Sequence, residues 1–219
     1  MSQLELLTWA RGTGLAWALA LCAAGIVLRL AEMLSLGRSV DLAPARLHRP
    51  GSGWRTVFTR SLPPPGMFRR EPVGYVAGYL FHLGLLLTLF FSAAHIELFR
   101  ALWGVSWPAL PPALIDAVAL VAIFSLLVLL AQRLSHPVKR LLSGFADYLA
   151  WAATMLPLLT GYLATHHLLL AYPLMLPLHI LSAELLLVLL PFTKLFHGVS
   201  VFFSRWYNGN AFARKGVAS

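Results

Sequence analysis

The chain has 219 residues, of which 59% are hydrophobic and only 11% are charged. A soluble globular domain carries about 25% charged residues, so the composition excludes a disordered chain, a coiled coil and an ordinary soluble enzyme. The mean hydropathy of +0.76 predicts a polytopic membrane protein instead. The formal net charge of +9 would indicate nucleic-acid binding only if the basic residues formed a patch on a soluble domain.

Five apolar runs are long enough, at about 1.5 Å per residue, to cross roughly 30 Å of hydrocarbon. They cover residues 12–31, 73–97, 112–132, 148–168 and 174–197. A basic loop rich in Pro and Gly, 32–72, follows the first run, and a tail, 198–219, follows the last. The outer connections are short, which favours antiparallel neighbours. The sequence therefore predicts an all-α fold, a single domain of residues 1–219 built as a bundle of five transmembrane helices.

The basic residues are strongly sided in this arrangement. Of the 17 Lys and Arg, only Arg11 and Arg100 fall on one side, and the remaining fifteen fall on the other. The positive-inside rule then predicts an outside N-terminus and a cytoplasmic C-terminus. The protein is thus expected in the cytoplasmic (inner) membrane of a bacterium or archaeon. The excess charge is mainly a topology signal, with an acidic partner or anionic lipid as a further use.

Four histidines lie inside predicted spans, where polar groups are costly and functional by default. His179 and His197, in the fifth span, are 18 residues apart, which is five full turns of one helix and about 27 Å. His82 and His95, in the second span, are 13 residues apart, about 20 Å along the axis with an offset of roughly 140°. Because the two spans are antiparallel, His82 is expected to pair with His197 near the cytoplasm, and His95 with His179 near the outside.

Paired imidazoles on facing helices can ligate a haem iron from both sides, so this pattern predicts two stacked haems. Gly84, two residues after His82, is expected to let a flat macrocycle approach the helix. The alternative interpretation is that these histidines are buried hydrogen-bonding or pore-lining groups.

Several segments resemble one known family. They are LFHLG at 80–84, LH at 178–179, PFTKLFH at 191–197, LR at 28–29, and RLSHPVKR at 133–140 before Ala146-Asp147. The chain is similar in these segments to the gamma subunit of respiratory nitrate reductases, a five-helix di-haem cytochrome b. Relatives of that subunit occur with heterodisulfide-reductase-like and sulfite-reductase-associated redox complexes.

The resemblance implies two b-type haems, quinol oxidation near the outer face and electron transfer to a cytoplasmic iron–sulfur subunit. His82, His179 and His197 match ligands of the family. The family's second histidine in span two comes ten residues after the first, where this chain has Ser92. His95 is nevertheless the better match in depth to its partner, because 13 residues differ from 18 by about 7.5 Å, whereas ten differ by about 12 Å.

Other polar residues suggest supporting roles. Glu184 is the acidic residue well inside a span, about 7.5 Å below His179, and is a candidate acceptor of a quinol proton. Arg29 and Arg133, at cytoplasmic ends of spans, are candidate partners for haem propionates or simple flanking charges, as are Arg70 and Lys194. His166 and His167, at the outer end of span four, are rival outer ligands, quinone contacts or ordinary interfacial residues.

The sequence thus predicts a membrane-anchor cytochrome b subunit of a respiratory oxidoreductase. It would hold two haem b groups through four histidines and exchange electrons between the quinone pool and an iron–sulfur partner, which carries the terminal substrate chemistry. Two alternatives stay open. One is a proton-coupled transporter or channel that uses the intramembrane His and Glu residues. The other is a membrane anchor with one haem or none.

Overall fold

A computed structural model describes residues 2–37 and 53–217, and residues 38–52 of the predicted basic loop lie outside it. The described residues form helices and no strands. In chain order, the α-helices are α1 Gln3–Trp9, α2 Leu15–Ser35, α3 Gly53–Thr59, α4 Pro65–Arg70, α5 Pro72–Phe91, α6 Ala93–Trp103, α7 Pro112–Ser135, α8 Pro137–Leu141, α9 Phe145–Thr165, α10 Tyr172–Leu189 and α11 His197–Arg214.

Four helical segments are long and apolar enough to cross a membrane, namely Gln3–Ser35, Pro72–Phe91, Pro112–Ser135 and Tyr172–Leu189. They correspond to the first, second, third and fifth predicted spans. Large apolar side chains such as Phe124 and Leu83 are exposed on their surfaces, as expected for helices that face lipid. The prediction of an all-α fold is confirmed, and the four apolar helices are compatible with a multi-pass membrane protein.

The first span is longer than predicted. The helix begins at Gln3, where Ser2 forms a capping box with Glu5, and it continues to Ser35. It contains one turn of π-helix, Ala10–Gly14, between α1 and α2. Such a turn accommodates an extra residue without ending the helix, and π turns are frequent at functional sites.

The second span ends earlier than predicted, so the continuous helix 73–97 is wrong. Ser92 adopts an extended conformation, with φ −71° and ψ 135°, and α6 starts a new direction after it. The break leaves carbonyls at the end of α5 without helical donors. Two of them are satisfied from the following loop, because Trp107 donates to the Phe90 carbonyl at 2.7 Å and the Leu110 N–H to that of Phe91 at 3.1 Å.

The fifth span is also broken, which corrects the continuous helix 174–197. α10 ends at Leu189, and the chain turns through Pro191, whose ring is fully buried and which has no N–H for a helical bond. A short 3₁₀ turn, Lys194–Phe196, leads into α11, which begins at His197. The predicted single face with five full turns between His179 and His197 therefore does not exist.

The helices pack in a curved row in which α2 contacts α10, α10 contacts α9, α9 contacts α7, and α7 contacts α5. The described core lies between α5, α7 and α9. Gly84 is buried in it, since a Cβ there would lie 2.6 Å from the Val118 carbonyl oxygen of α7. The expectation that Gly84 makes room for a macrocycle is therefore wrong, because this glycine allows α5 and α7 to approach each other.

α9 covers most of the predicted span 148–168, but it is not among the four apolar helices. Its sequence contains polar and aromatic residues, and Pro157 lies inside it. At about 1.5 Å per residue its 21 residues extend roughly 31 Å, which is long enough to span. Its position between α7 and α10 places it inside the bundle.

The predicted loop and tail also contain helices. α3 and α4 lie within the described part of 32–72, and α11 occupies most of 198–219. α3 packs along α11, where the Gly53 N–H donates to the Asn210 side chain at 3.2 Å and Gly209 lies against Thr56.

Candidate functional site

His82 and His197 meet although they lie far apart in the sequence. His82 is near the middle of α5, and His197 is the first residue of α11. Their ring centroids are 6.0 Å apart and their planes are nearly perpendicular, at 82°. Both side chains are exposed in the isolated chain. The structure thus brings together the inner pair expected from the sequence.

His95 and His179 form the second pair. Their ring centroids are also 6.0 Å apart, with only 19° between the planes. His179 is in the N-terminal half of α10, whereas His95 is on α6, beyond the break at Ser92. The break supplies the change of direction that a straight helix with an offset of about 140° could not. Both rings are half-buried.

Hydrogen bonds at Nδ1 set the orientation of all four rings. His82 Nδ1 donates to the Gly78 carbonyl at 2.6 Å and His197 Nδ1 to the Lys194 carbonyl at 2.8 Å. His95 Nδ1 lies 3.0 Å and 3.1 Å from the carbonyls of Thr88 and Leu89 in the last turn of α5. Since a carbonyl oxygen only accepts, Nδ1 carries the proton in these three rings, and Nε2 of the neutral imidazole keeps its lone pair.

The fourth ring, His179, is oriented by α9. Its Nδ1 lies 3.3 Å from Thr160 Oγ1, and that hydroxyl donates its own proton to the Leu156 carbonyl at 2.6 Å. The hydroxyl is thus an acceptor for His179 Nδ1–H, and Nε2 again keeps the lone pair. Metal-binding histidines ordinarily have this outer hydrogen bond, which fixes the tautomer and the ring orientation.

The spacing of each pair would allow both imidazoles to bind one metal ion. With metal–nitrogen bonds of about 2 Å and about 1.1 Å from nitrogen to ring centre, two opposed imidazoles have centroids roughly 6.2 Å apart. Each observed distance is 6.0 Å. Within the described ranges, no three His, Cys, Asp or Glu side chains form a group that could hold a bare metal ion. Two imidazoles alone suit an iron whose other ligands belong to a macrocycle.

The helices that carry the pairs make few backbone contacts with each other. α5 and α6 are not packed extensively against α10 or α11 in the described structure, although the imidazoles of each pair approach across the gap. A polar ring exposed towards lipid is unfavourable, so these half-covered imidazoles need a further group around them. A flat, apolar macrocycle that is ligated at its centre meets this requirement.

Gly161 and Thr160 of α9 are site residues that sequence reasoning missed. A Cβ on Gly161 would lie 2.9 Å from His179 Cε1, so glycine is needed for the ring to lie against this helix. Thr160 also lies 3.0 Å from Ser182 Oγ, and Ser182 donates to the His179 carbonyl at 2.7 Å. A Thr-Gly pair inside an apolar helix is a weak sequence signal, and only the packing of α9 on α10 reveals its role.

Arg133 and Lys194, both candidate propionate partners, converge on one carboxylate. The Arg133 guanidinium lies 3.1 Å from Asp147 Oδ1, and Lys194 Nζ lies 2.7 Å from Oδ2. The hydrogen bond from Lys194, the Gly144 N–H and the charge of Arg133 hold the pKa of Asp147 below its ordinary value. Two positive charges and one negative charge leave this group with one net positive charge. Its member Lys194 lies three residues before His197.

Arg29, a further candidate propionate partner, holds the end of α10. Its Nε donates to the Pro191 carbonyl at 3.2 Å, and its Nη1 binds Glu32 at 2.9 Å. Pro191 also packs against α2, because a Cβ on Gly25 would lie 2.5 Å from its ring. Arg29 therefore stabilises the turn that leads to His197.

Glu184 lies on a different flank of α10 from His179. Its carboxyl group packs against the π turn of the first span, about 3 Å from the position of a Cβ on Gly14. The side chain is buried, with 7% of its surface exposed, and Oε1 has no hydrogen-bond partner among the described residues. The structure does not place Glu184 together with the histidine pairs.

His166 and His167 lie where predicted, at the end of α9. His166 Nε2 is 3.3 Å from Asp116 Oδ1 of α7, and His167 stacks near Tyr172 at 5.0 Å. His167 has a positive φ of 54°, as expected for a residue that ends a helix. The structure joins His179 with His95 rather than with either of these residues.

A shallow cavity of about 580 Å³, widely open to the surface, lies beside the end of α5 and is lined by Phe90, Phe91, Trp107 and Pro108. Phe99 of α6 stacks on Phe90 at 5.8 Å and lies 5.3 Å from Trp107. This apolar, aromatic cavity lies next to the turn whose carbonyls orient His95. It is a second feature that the sequence did not indicate.

Comparison with known proteins gives one informative similarity. A protein of Nitratidesulfovibrio vulgaris strain Hildenborough is 36% identical over 148 residues, which are 68% of this chain. The aligned part spans 65% of that relative, and its name, "Protein", states no activity. No family model matches the chain, and no solved structure matches it.

Proposed function

We propose that this chain is a membrane cytochrome b subunit that binds two haem b groups. His82 and His197 would ligate the inner iron, and His95 and His179 the outer iron. The observation that carries the proposal is the convergence of four imidazoles into two pairs at 6.0 Å, each ring oriented through Nδ1 with Nε2 available. This arrangement is unexpected for histidines that serve only as hydrogen-bonding residues.

Haem b supplies reversible one-electron chemistry at iron, and the residues of this chain set its position and potential. The four Nε2 atoms would bind the irons. The Nδ1 bonds to Gly78, Lys194, Thr88 and Thr160 would prevent ring rotation and increase the basicity of Nε2. The group of Arg133, Lys194 and Asp147 would offer one net positive charge for the propionates of the inner haem, and Arg29 of α2 is bound to the turn that precedes Lys194.

The topology that goes with this function has five spans, with α9 as the fourth. Its length and its place between α7 and α10 support that assignment. The charge asymmetry supports an outside N-terminus, a cytoplasmic C-terminus and the inner membrane of a bacterium or archaeon. The His82–His197 pair then lies towards the cytoplasm and the His95–His179 pair towards the outside.

The electron donor or acceptor in the membrane would be a quinone. Quinol oxidation releases two electrons and two protons, so it requires an apolar pocket near the outer haem and a proton acceptor. The shallow apolar cavity at Phe90 and Trp107 would be the place for it. Glu184 would lead protons outward along the contact between α10 and the first span. It would not touch the quinol, since its carboxyl group faces Gly14. His166 and His167 would be available as further quinone contacts.

Electrons would be exchanged with a cytoplasmic iron–sulfur protein of a respiratory oxidoreductase complex, and the terminal substrate would belong to that complex. The residues quoted above support placing the chain with the nitrate reductase gamma-like cytochromes. Haem ligation, quinone reactivity and the partner are separate parts of the proposal, and each has its own test.

The first test is the haem content of the purified full chain. A pyridine haemochrome assay should give two haem b per chain, and dithionite reduction should produce the bands of bis-histidine cytochrome b. His82→Ala and His197→Ala should each remove one haem and leave the other. A chain without haem bands would support the transporter alternative, and one haem would support the simpler anchor. Reduction by a menaquinol or ubiquinol analogue, with co-purification from native membranes, then tests the quinone and the partner.

A further inference from the structure

α3 presents an apolar row away from the bundle. Trp54, Phe58 and Leu62 follow one another at intervals of four residues, on one face of the helix and its end. Their exposed fractions are 67%, 72% and 71%. The opposite face, with Thr56 and Val57, is buried against α11. Three large apolar side chains so exposed on a short helix require a covering surface.

The end of α3 is hydrogen-bonded to α5 close to the beginning of a candidate span. The Tyr79 hydroxyl donates to the Ser61 carbonyl, and the Arg205 guanidinium donates to Ser61 Oγ at 2.9 Å. Tyr79 is seven residues, about 10.5 Å, into the candidate span Pro72–Phe91. Since α3 is attached to a residue inside this span, it lies beside the end of the bundle rather than above it. If α5 crosses the membrane from Pro72 onwards, this level lies near the boundary between hydrocarbon and water.

The described segments that pack together at α3 carry only positive charges. Residues 53–62 and 197–217 contain no Asp or Glu, and they include Arg60, Arg205 and Arg214. Apolar and aromatic side chains beside basic ones are the composition of helices that lie in the surface of anionic membranes. An acidic protein surface would complement the charge as well, but it would not explain the depth set by Tyr79.

From these observations we infer that α3 is an interfacial helix that binds the bilayer itself. Trp54, Phe58 and Leu62 enter the region of the acyl chains, and the neighbouring basic residues bind phosphates of anionic lipids. α11 acts as the support that holds α3 in this plane. The inference requires only that α5 spans the membrane, so it is independent of the haem proposal.

A single-cysteine label tests the position of α3. Cys22 is the one cysteine of the chain and is buried on α2, so a Cys22→Ser background allows specific labelling. Phe58→Cys, labelled with a fluorophore sensitive to polarity, is compared with Thr59→Cys, which points about 100° away. Both full-length proteins are placed in nanodiscs of phosphatidylcholine with or without phosphatidylglycerol. Leu62→Cys serves as a second reporter if Phe58 is needed for folding.

We expect the label at 58 to be quenched by spin-labelled lipid at least about twofold more strongly than the label at 59. Aqueous iodide should show the reverse order, and phosphatidylglycerol should increase the difference. Arg60→Gln should reduce the effect of phosphatidylglycerol while leaving helix content unchanged. Equal quenching at 58 and 59 would overturn the inference. Protection that appears only in native membranes, and not in pure lipid, would also overturn it, because the covering surface would then be a protein.

Discussion

The imidazoles of His95 and His179 lie with ring centroids 6.0 Å apart and planes within 19° of parallel. His95 is on α6 and not on α5 itself, so the pair is not formed by two straight facing helices. His95 reaches this position because α5 ends at Phe91 and α6 starts in a new direction after Ser92. The ring then bonds the carbonyls that the break has exposed, at Thr88 and Leu89. The break therefore both moves and orients the residue.

Replacement of the outer pair should remove one haem. His95→Ala and His179→Ala should each lower the haem content from two per chain to one, because a single imidazole leaves the outer iron without its second protein ligand. Pyridine haemochrome assays on the purified variants measure this. His166→Ala and His167→Ala are the controls and should retain both haems. Loss of a haem in either control, with retention in His95→Ala, would assign the outer site to the end of α9.

Gly161→Ala should disturb the outer site alone. The added Cβ would meet His179 Cε1 at 2.9 Å, and overpacking of this kind costs about 1–3 kcal/mol. We expect weaker retention of the outer haem and a changed low-spin EPR signal. Gly12→Ala is the matched control in another helical segment, Gln3–Ser35, since a Cβ there meets nothing within 4 Å. Identical spectra of the two variants would contradict the packing argument.

Thr160→Val should raise the reduction potential of the outer haem without removing it. Valine has the same shape but cannot accept the proton of His179 Nδ1, so the imidazole donates less charge to iron and the oxidised state is less favoured. A hydrogen bond of about 1 kcal/mol limits the change to roughly 40 mV for one electron. A spectroelectrochemical titration of both haems measures it, with Thr165→Val as control. An unchanged potential would show that this hydrogen bond has no electronic role.

Low pH should weaken the ion pairs that Asp147 forms with Arg133 and Lys194. Its pKa is lowered in the folded chain, chiefly by the hydrogen bond from Lys194, so its stabilisation is present above the ordinary carboxyl pKa. That stabilisation is lost as the pH falls through the lowered pKa. Asp147→Asn should cost about 1 kcal/mol at neutral pH and nothing at low pH. Thermal unfolding in detergent between neutral and acidic pH checks this, and a constant difference would contradict it.

Glu184→Gln should slow quinol oxidation at least about tenfold while both haems stay bound. The amide keeps the shape beside Gly14 but cannot carry a proton. Stopped-flow reduction of the haems by a quinol analogue provides the rate. Glu97→Gln changes an exposed carboxylate on α6 and should have no effect. Unchanged kinetics in Glu184→Gln would limit this residue to a structural role against the π turn.

Much of the architecture was predictable, because the length and apolarity of a span follow from the thickness of the bilayer alone. Composition identified a helical membrane protein, and the third span, 112–132, lies within α7 as predicted. The membership of His82, His95, His179 and His197 in two pairs followed from their order along antiparallel segments. This inference required only the approximate depth of each histidine in the membrane, which its position along an apolar segment supplies.

The tertiary structure decided how those pairs form. Apolar periodicity does not reveal a break within an apolar run, so the ends of α5 at Phe91 and of α10 at Leu189 were missed. The cost of each break depends on distant donors, such as Trp107 for the Phe90 carbonyl and Arg29 for that of Pro191. Whether Gly84 meets a macrocycle or α7, and whether Thr160 reaches His179, depends in the same way on packing between helices, which only the folded chain determines.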